Sequence, residues 1–435
     1  MRRPRLRDPL RRPVFRRLAT TYAVNELGDW MGIVALSILV FDRTGSALAT
    51  AALFLGTRFL PALCAPILVA RVEQPPPRFA LPVIYCGEAA AFGGLALLTA
   101  HFSLAGVILL ATIDGALALT GRALTRAVVA ALLEPTGELR AGNAILNVAF
   151  TGGAAIGPGI AGLVVGAFGV QTALLLDAAS FYLIGWMLLT AGPLPHVEPD
   201  PGRLRERVQA GLAYIRETAT LQRLLIAEGA AFVFFAAVIP IEVIYAKQTL
   251  GVGDSGYGIM LTSWGAGMVV GSFVFAAVRR APLPYLLFFS TVAVGAGYLG
   301  LAVAPTLAAA CAASALGGAG NGVQWVAVVS AVQELTAKGM QARVMSVLES
   351  IGAAMPGVGY VAGGLIASGG NPRATFLFAG TGVLAVAAIA AAKLGTGLPE
   401  RTVRSDANAL DADDDIVVEL IAGSRSIQSD SEVGS

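Results

Sequence analysis

Charge is scarce in this chain. Asp, Glu, Lys and Arg make up only 13% of its 435 residues, against about 25% in a soluble domain. So little charge cannot cover a water-facing surface, and lipid contact removes the need. Histidine is scarcer still: His101 and His196 are the only two, far apart, which argues against zinc and against His-based catalysis. The three cysteines, Cys64, Cys86 and Cys311, all fall in apolar stretches and form no disulfide framework or metal motif. No G-x-x-x-x-G-K-[ST] phosphate loop is present, hence no ATP drive, and no nucleophile–base pair can be placed. The chain therefore reads as a non-enzyme without cofactor or metal. A cleavable signal is not expected either. The Arg-rich stretch Met1–Arg17 precedes an apolar segment that is too long for one and lacks an A-x-A site.

What is present is apolar. Hydrophobic residues make up 56% of the chain, with 52 glycines and a mean hydropathy of +0.73. A spanning helix needs about 20 mostly apolar residues. Twelve such spans are expected, near 18–41, 46–70, 79–100, 104–126, 144–168, 171–192, 222–246, 256–278, 284–304, 306–332, 344–369 and 373–394. The runs are too long for barrel strands, so the fold class is an all-α membrane protein with 12 transmembrane helices. The glycines suit close helix packing in lipid.

Lys and Arg set the expected orientation. The N-terminal tail, 1–17, carries Arg2, Arg3, Arg5, Arg7, Arg11, Arg12, Arg16 and Arg17. With that tail inside, the inner loops hold Arg71, Arg78, Arg126, Arg140, Arg203, Arg205, Arg207, Arg216, Arg279, Arg280, Lys338 and Arg343; the outer loops hold Arg43, Lys247 and Arg373. This is the positive-inside pattern, with both termini cytoplasmic at the plasma (inner) membrane. Beside a first span, the basic tail reads as a topology and anionic-lipid signal rather than a nucleic-acid patch.

The hydrophilic stretch 193–221 divides the spans into two six-helix halves, 18–192 and 222–394. Within it, Leu204, Val208, Leu212 and Ile215 recur at helical spacing among charges. They predict either an amphipathic helix on the inner membrane surface or a plain solvated linker helix. The tail 395–435 is polar and acidic, and is expected to be disordered. The halves repeat weakly. Arg17-Leu18 matches Arg223-Leu224, and Arg140 with Gly162-Leu163 matches Arg343 with Gly364-Leu365, at offsets between 202 and 206 residues. Such repeats place a substrate site between halves near midplane.

Specific stretches add to this. Leu139-Arg140-Ala141-Gly142-Asn143-Ala144, Gly157-Pro158-Gly159-Ile160-Ala161-Gly162, Leu176-Asp177-Ala178-Ala179-Ser180-Phe181 and Asn25-Glu26-Leu27-Gly28-Asp29 resemble the major facilitator superfamily. They are most similar to its macrolide-efflux and enterobactin-exporter-like branch. The likeness spans about residues 15 to 395. It implies a pseudo-symmetric transporter working by alternating access on a small molecule, as a monomer in the bilayer. The Gly-Pro stretch looks like the fifth-helix motif of exporters. One departure stands out. The family's loop after span two usually reads Gly, three residues, Asp-Arg. Here it is Val69, Ala70, Arg71, Val72, Glu73, Gln74, then three prolines and Arg78. Glu73 replaces the Asp, and the resemblance implies a weakened cytoplasmic latch.

Ionisable residues inside spans are functional candidates by default. Glu26 and Asp29, one turn apart, share a face of helix one. Arg58 in helix two sits at matching depth, so an Asp29–Arg58 pair is expected, with Glu26 as proton carrier. The plainer alternative is that Glu26 lines a wet cavity and attracts a cationic substrate. Glu88 and Asp114 are mid-span, as cavity lining or interhelical hydrogen bonders. Arg122 and Arg126 read as snorkelling to headgroups, and Asp177 as a cap or gate. Gly157, Pro158, Gly159 and Gly162, with Pro356 and Gly357 in the other half, are expected gating or helix-bending points. The function expected is proton-coupled efflux of a small lipophilic or amphiphilic compound such as a drug, siderophore or secondary metabolite. Nutrient uptake and a transporter-like sensor or assembly protein are the alternatives.

Overall fold

A computed structural model describes residues 7–64, 77–190, 194–195, 204–278 and 281–394. Eleven of its helices are long and apolar enough to cross a membrane. One of them, Leu139–Leu189, has 51 residues. At 1.5 Å per residue it would run to about 77 Å, more than twice the ~30 Å hydrocarbon core. It breaks at Gly169, where φ is 82° and ψ 165°, and therefore crosses twice. The total of twelve crossings is the one read from the apolar runs.

The spans are α1 (Pro13–Thr44), α2 (Ala47–Cys64), α3 (Pro77–Leu98), α4 (Leu104–Leu133), α5 (139–168) and α6 (170–189). A linker helix, α7 (Leu204–Glu217), follows. The second half comprises α8 (Ala219–Thr249), α9 (Gly253–Ala277), α10 (Leu283–Val303), α11 (Leu307–Leu335), α12 (Gln341–Ala367) and α13 (Pro372–Leu394). At the end away from α7, connections are short and capped. Ser46, Ser103 and Thr306 side chains accept from the backbone amides of Ala49, Gly106 and Ala309, satisfying orphan donors of the following helix. Gly45 closes α1 in the left-handed region at φ 59°.

Helix α7 is docked on protein. Ile215 is buried in a cluster with Leu224, Val328 and Leu348. The Tyr214 hydroxyl accepts from the Ala337 amide at 3.1 Å. A Cβ on Gly211 would lie 2.8 Å from the Arg343 carbonyl oxygen, so the helix backbone rests directly on the start of α12.

The halves meet through two equivalent crossings, α5 on α9 and α2 on α12. Helix α5 presents Gly153 and Gly157 to Glu26 and Trp30 of its own half, and Gly159, Gly162 and Gly166 to Thr262, Gly258 and Ser255 of the other. Helix α12 does the same. Gly359 and Gly363 lie against Val233 and Ala237 of its own half, while Gly357 and Gly364 lie against Phe59 and Ala51 of the other. Each proline helix is thus wedged between one partner per half, and small residues let three backbones approach.

These crossings favour the end distal to α7. There Lys247 bridges Asp42 at 2.5 Å and Asp254 at 2.7 Å, and α1 is buried without interruption from Ile33 to Phe41. Toward the linker end, α5 exposes Asn143, Asn147, Val148 and Phe150. The halves are closed distally and part toward the linker.

Candidate functional site

The first half gathers carboxyls in its interior. Asp29 on α1 forms an ion pair with Arg122 on α4 at 3.1 Å, the side chains 12% and 19% exposed. Asn25, one turn earlier, donates to Asp29 at 3.4 Å. Around this pair, within electrostatic reach of Asp29, stand Glu26, Glu88 on α3, Asp114 on α4 and Asp177 on α6. Glu26, Glu88 and Asp177 are buried. Both carboxyl oxygens of Glu88, and one each of Glu26, Asp114 and Asp177, have no hydrogen-bond partner among the described residues. Unsatisfied buried carboxyls are expensive, so their concentration beside one paired arginine marks a site rather than a packing accident.

The expected Asp29–Arg58 pair is corrected: Arg122 is the partner. Arg122 also does not snorkel. Helix α4 runs on to Leu133, and Arg122, eleven residues before that end, about 16 Å along the helix, turns to Asp29 within the bundle. Arg58 is exposed on the linker-facing side, within electrostatic reach of Glu26, Asp114 and Tyr360. It sits in a wide π turn, Leu55–Phe59, of the kind that often marks functional positions. A second π turn, Tyr245–Thr249, carries Lys247 in the other half.

Asp177 belongs to the cluster, not to an outer cap. It lies against Gly28 and Gly32 of α1, where a Cβ on Gly32 would fall 2.8 Å from its Oδ2. The Ser180 hydroxyl lies 3.4 Å from its Oδ1. The Gly28/Gly32 spacing on either side of Asp29 was the overlooked signal, since it leaves room on α1 for a neighbouring side chain.

A route leads from the cluster toward the linker. Arg126 donates to the Tyr22 hydroxyl at 3.3 Å, and Tyr22 lies within electrostatic reach of Glu26, one turn further along α1. Arg126 lines a cavity of about 290 Å³ with Asn143 and Asn147. It is therefore part of a polar chain, not merely a headgroup anchor. The second half carries an aromatic group: Trp264 stacks on Tyr298 at 5.4 Å, with Phe235 5.9 Å from Trp264.

Among the latch residues, Glu73 lies outside the described residues. Arg78 is exposed and sits over the Phe79 ring at 4.6 Å. Among the described residues no group of His, Cys, Asp and Glu has a metal-holding arrangement.

The fold matches solved transporters. The nucleoside transporter NupG superposes with a TM-score of 0.70 at 12% identity, covering 87% of this chain and 98% of that one. A bacterial homolog of the human lysosomal transporter Spinster, inward-facing and occupied, gives 0.70 at 14%, covering 89% and 97%. The POT family transporter PepTSo gives 0.70 at 10%, covering 88% and 98%. At such identities the likeness concerns the fold. Comparison with curated protein sequences gives no match. A family profile described as transmembrane secretion effector matches residues 7–420. With twelve crossings in two pseudo-symmetric halves, the chain belongs to this transmembrane secretion effector family of major facilitator transporters.

Proposed function

We propose that this protein is a secondary active exporter of the plasma membrane. It exchanges protons for a small lipophilic or amphiphilic compound by alternating access, with its linker end in the cytoplasm. The observation that carries this reading is the excess of buried carboxyls over cations around the Asp29–Arg122 pair. Arginine stays charged at all relevant pH. It is paired with Asp29 and leaves the other carboxyls of the cluster without an ion-pair partner among the described residues, available as proton carriers. Glu26 is the proton site, since the Tyr22–Arg126 chain connects it toward the linker-end cavity. The aromatic wall of Phe235, Trp264 and Tyr298 would take the apolar part of the cargo. Export is favoured by the matching family profile, whose description is transmembrane secretion effector.

The test is transport of ethidium into everted vesicles with and without a proton gradient. Wild type is expected to accumulate ethidium only with the gradient. Glu26→Gln is expected to abolish gradient-driven accumulation while leaving downhill counterflow intact. Accumulation by Glu26→Gln with unchanged proton dependence would remove Glu26 from the coupling role. Orientation has its own check. In a chain with Cys64, Cys86 and Cys311 replaced by Ser, Asn371→Cys should react with an impermeant maleimide on intact cells and Glu217→Cys should not. The reverse pattern would invert the topology.

A further inference from the structure

The second half holds a cavity of about 730 Å³ away from the seam between halves, among α8, α10, α11 and α13. Nearer the distal end, α10 and α13 are tightly packed. A Cβ on Gly295 would fall 2.8 Å from Leu384, and one on Gly380 2.8 Å from Leu299. Nearer the linker end, the same two helices form separate walls of the cavity, α10 through Tyr285 to Phe289 and α13 through Val386 to Ala391. Tyr285 and Phe289 are 61% and 63% exposed, so this wall opens at the lipid-facing surface.

Inside the cavity is a polar pair. Glu228 of α8 is 8% exposed, and Gln324 of α11 lines the same cavity, close enough to bear on its charge. No cation among the described residues forms an ion pair with it. The remaining walls are mostly apolar, including Leu224, Ala231, Phe288 and Val328. The volume lies within the ~300–1,000 Å³ of small-molecule sites, and such sites combine apolar walls with few polar groups. The proton cluster uses none of these residues, and a buried carboxyl in a span that merely packed would be an unrewarded cost.

The geometry points to a second, intramembrane binding site entered from the bilayer between α10 and α13, taking a lipophilic amine. The ammonium group meets Glu228 and Gln324, and the chain lies along the apolar walls. A carboxyl without a cation selects an ammonium over carboxylate or phosphate headgroups. A mouth on the lipid face selects ligands already dissolved in the membrane.

The experiment uses the full chain in nanodiscs with a diazirine-bearing dodecylamine, followed by peptide mass spectrometry. Crosslinks are expected within 284–291 or 386–391, displaced by dodecylamine but not by dodecanol or dodecanoate. Glu228→Gln should weaken labelling at least tenfold. Ala390→Phe, which fills the cavity and leaves Glu228 in place, should block it. Glu26→Gln, in the interior of the first half, should leave it unchanged. Crosslinks confined to the seam between halves, displacement by dodecanol equal to that by dodecylamine, or labelling untouched by Ala390→Phe would each overturn the proposal. Ala390→Phe decides the matter if Glu228→Gln does not fold.

Discussion

Asp29→Asn is expected to cut the yield of folded, monodisperse protein severalfold, because it removes the one ion-pair partner of Arg122 among the described residues, inside the bundle. Removing one partner of a buried pair costs about 3–5 kcal/mol. The 12% and 19% exposure of the two side chains places this pair toward the lower end. The loss should be partly reversed in the double variant Asp29→Asn with Arg122→Gln, which removes both charges. Pairing Asp29→Asn with Arg58→Gln should give no such recovery, because Arg58 is exposed and is not the ion-pair partner. Size-exclusion profiles and melting temperatures of the four proteins check this. Rescue by Arg58→Gln and not by Arg122→Gln would restore the pairing expected from depth alone.

That contrast shows what the sequence could and could not say. Twelve apolar runs, the six-and-six division and the paired proline helices were legible because span length and small-residue patterns are properties of single segments. The partner of Asp29 was not, because depth along a helix leaves its azimuth open. Two features misled the depth count itself. The apolar run of α4 was read as ending at 126, whereas the helix continues to Leu133 and carries Arg122 inward. The π turn at Leu55–Phe59 changes the direction of the side chains around Arg58, which a 3.6-residue period does not anticipate. Asp177 was misplaced for a related reason. Its position in α6 is distal by count, but Gly28 and Gly32 on α1 let it reach the cluster. The linker helix rests on the start of α12 through Gly211 and packs Ile215 into protein while Leu212 stays exposed, a contact that an apolar stripe alone does not reveal.

Gly162→Val should shift the protein between its two faces instead of unfolding it. A Cβ at Gly162 would lie 2.8 Å from both the Asp254 carbonyl oxygen and the Gly258 Cα. Both are backbone atoms, so no rotamer change can clear the space. Overpacking of this kind costs about 1–3 kcal/mol, and here the cost falls on a contact between halves. Under alternating access that contact exists only while the distal face is closed, so the penalty applies to one state. A bias of about 2 kcal/mol changes a two-state ratio roughly 30-fold. Gly363 makes the opposite case. Its Cβ would collide with the Ala237 carbonyl within the same half, a contact present in both states, so Gly363→Val should reduce folded protein without changing exposure. Gly152 is the silent control, with nothing within 4 Å of its Cβ position. The readout is thiol labelling of Ser37→Cys from the distal side, in a chain otherwise free of cysteine. Ser37 is fully buried, its hydroxyl donating to the Ile33 carbonyl at 2.7 Å, and it lies beside Tyr257 of the opposite half. Labelling should rise about tenfold or more with Gly162→Val, within the roughly 30-fold ceiling set by that bias. It should stay at the wild-type rate with Gly152→Val and with the folded fraction of Gly363→Val. Equal labelling in all three would mean that the α5–α9 crossing does not hold the distal face shut.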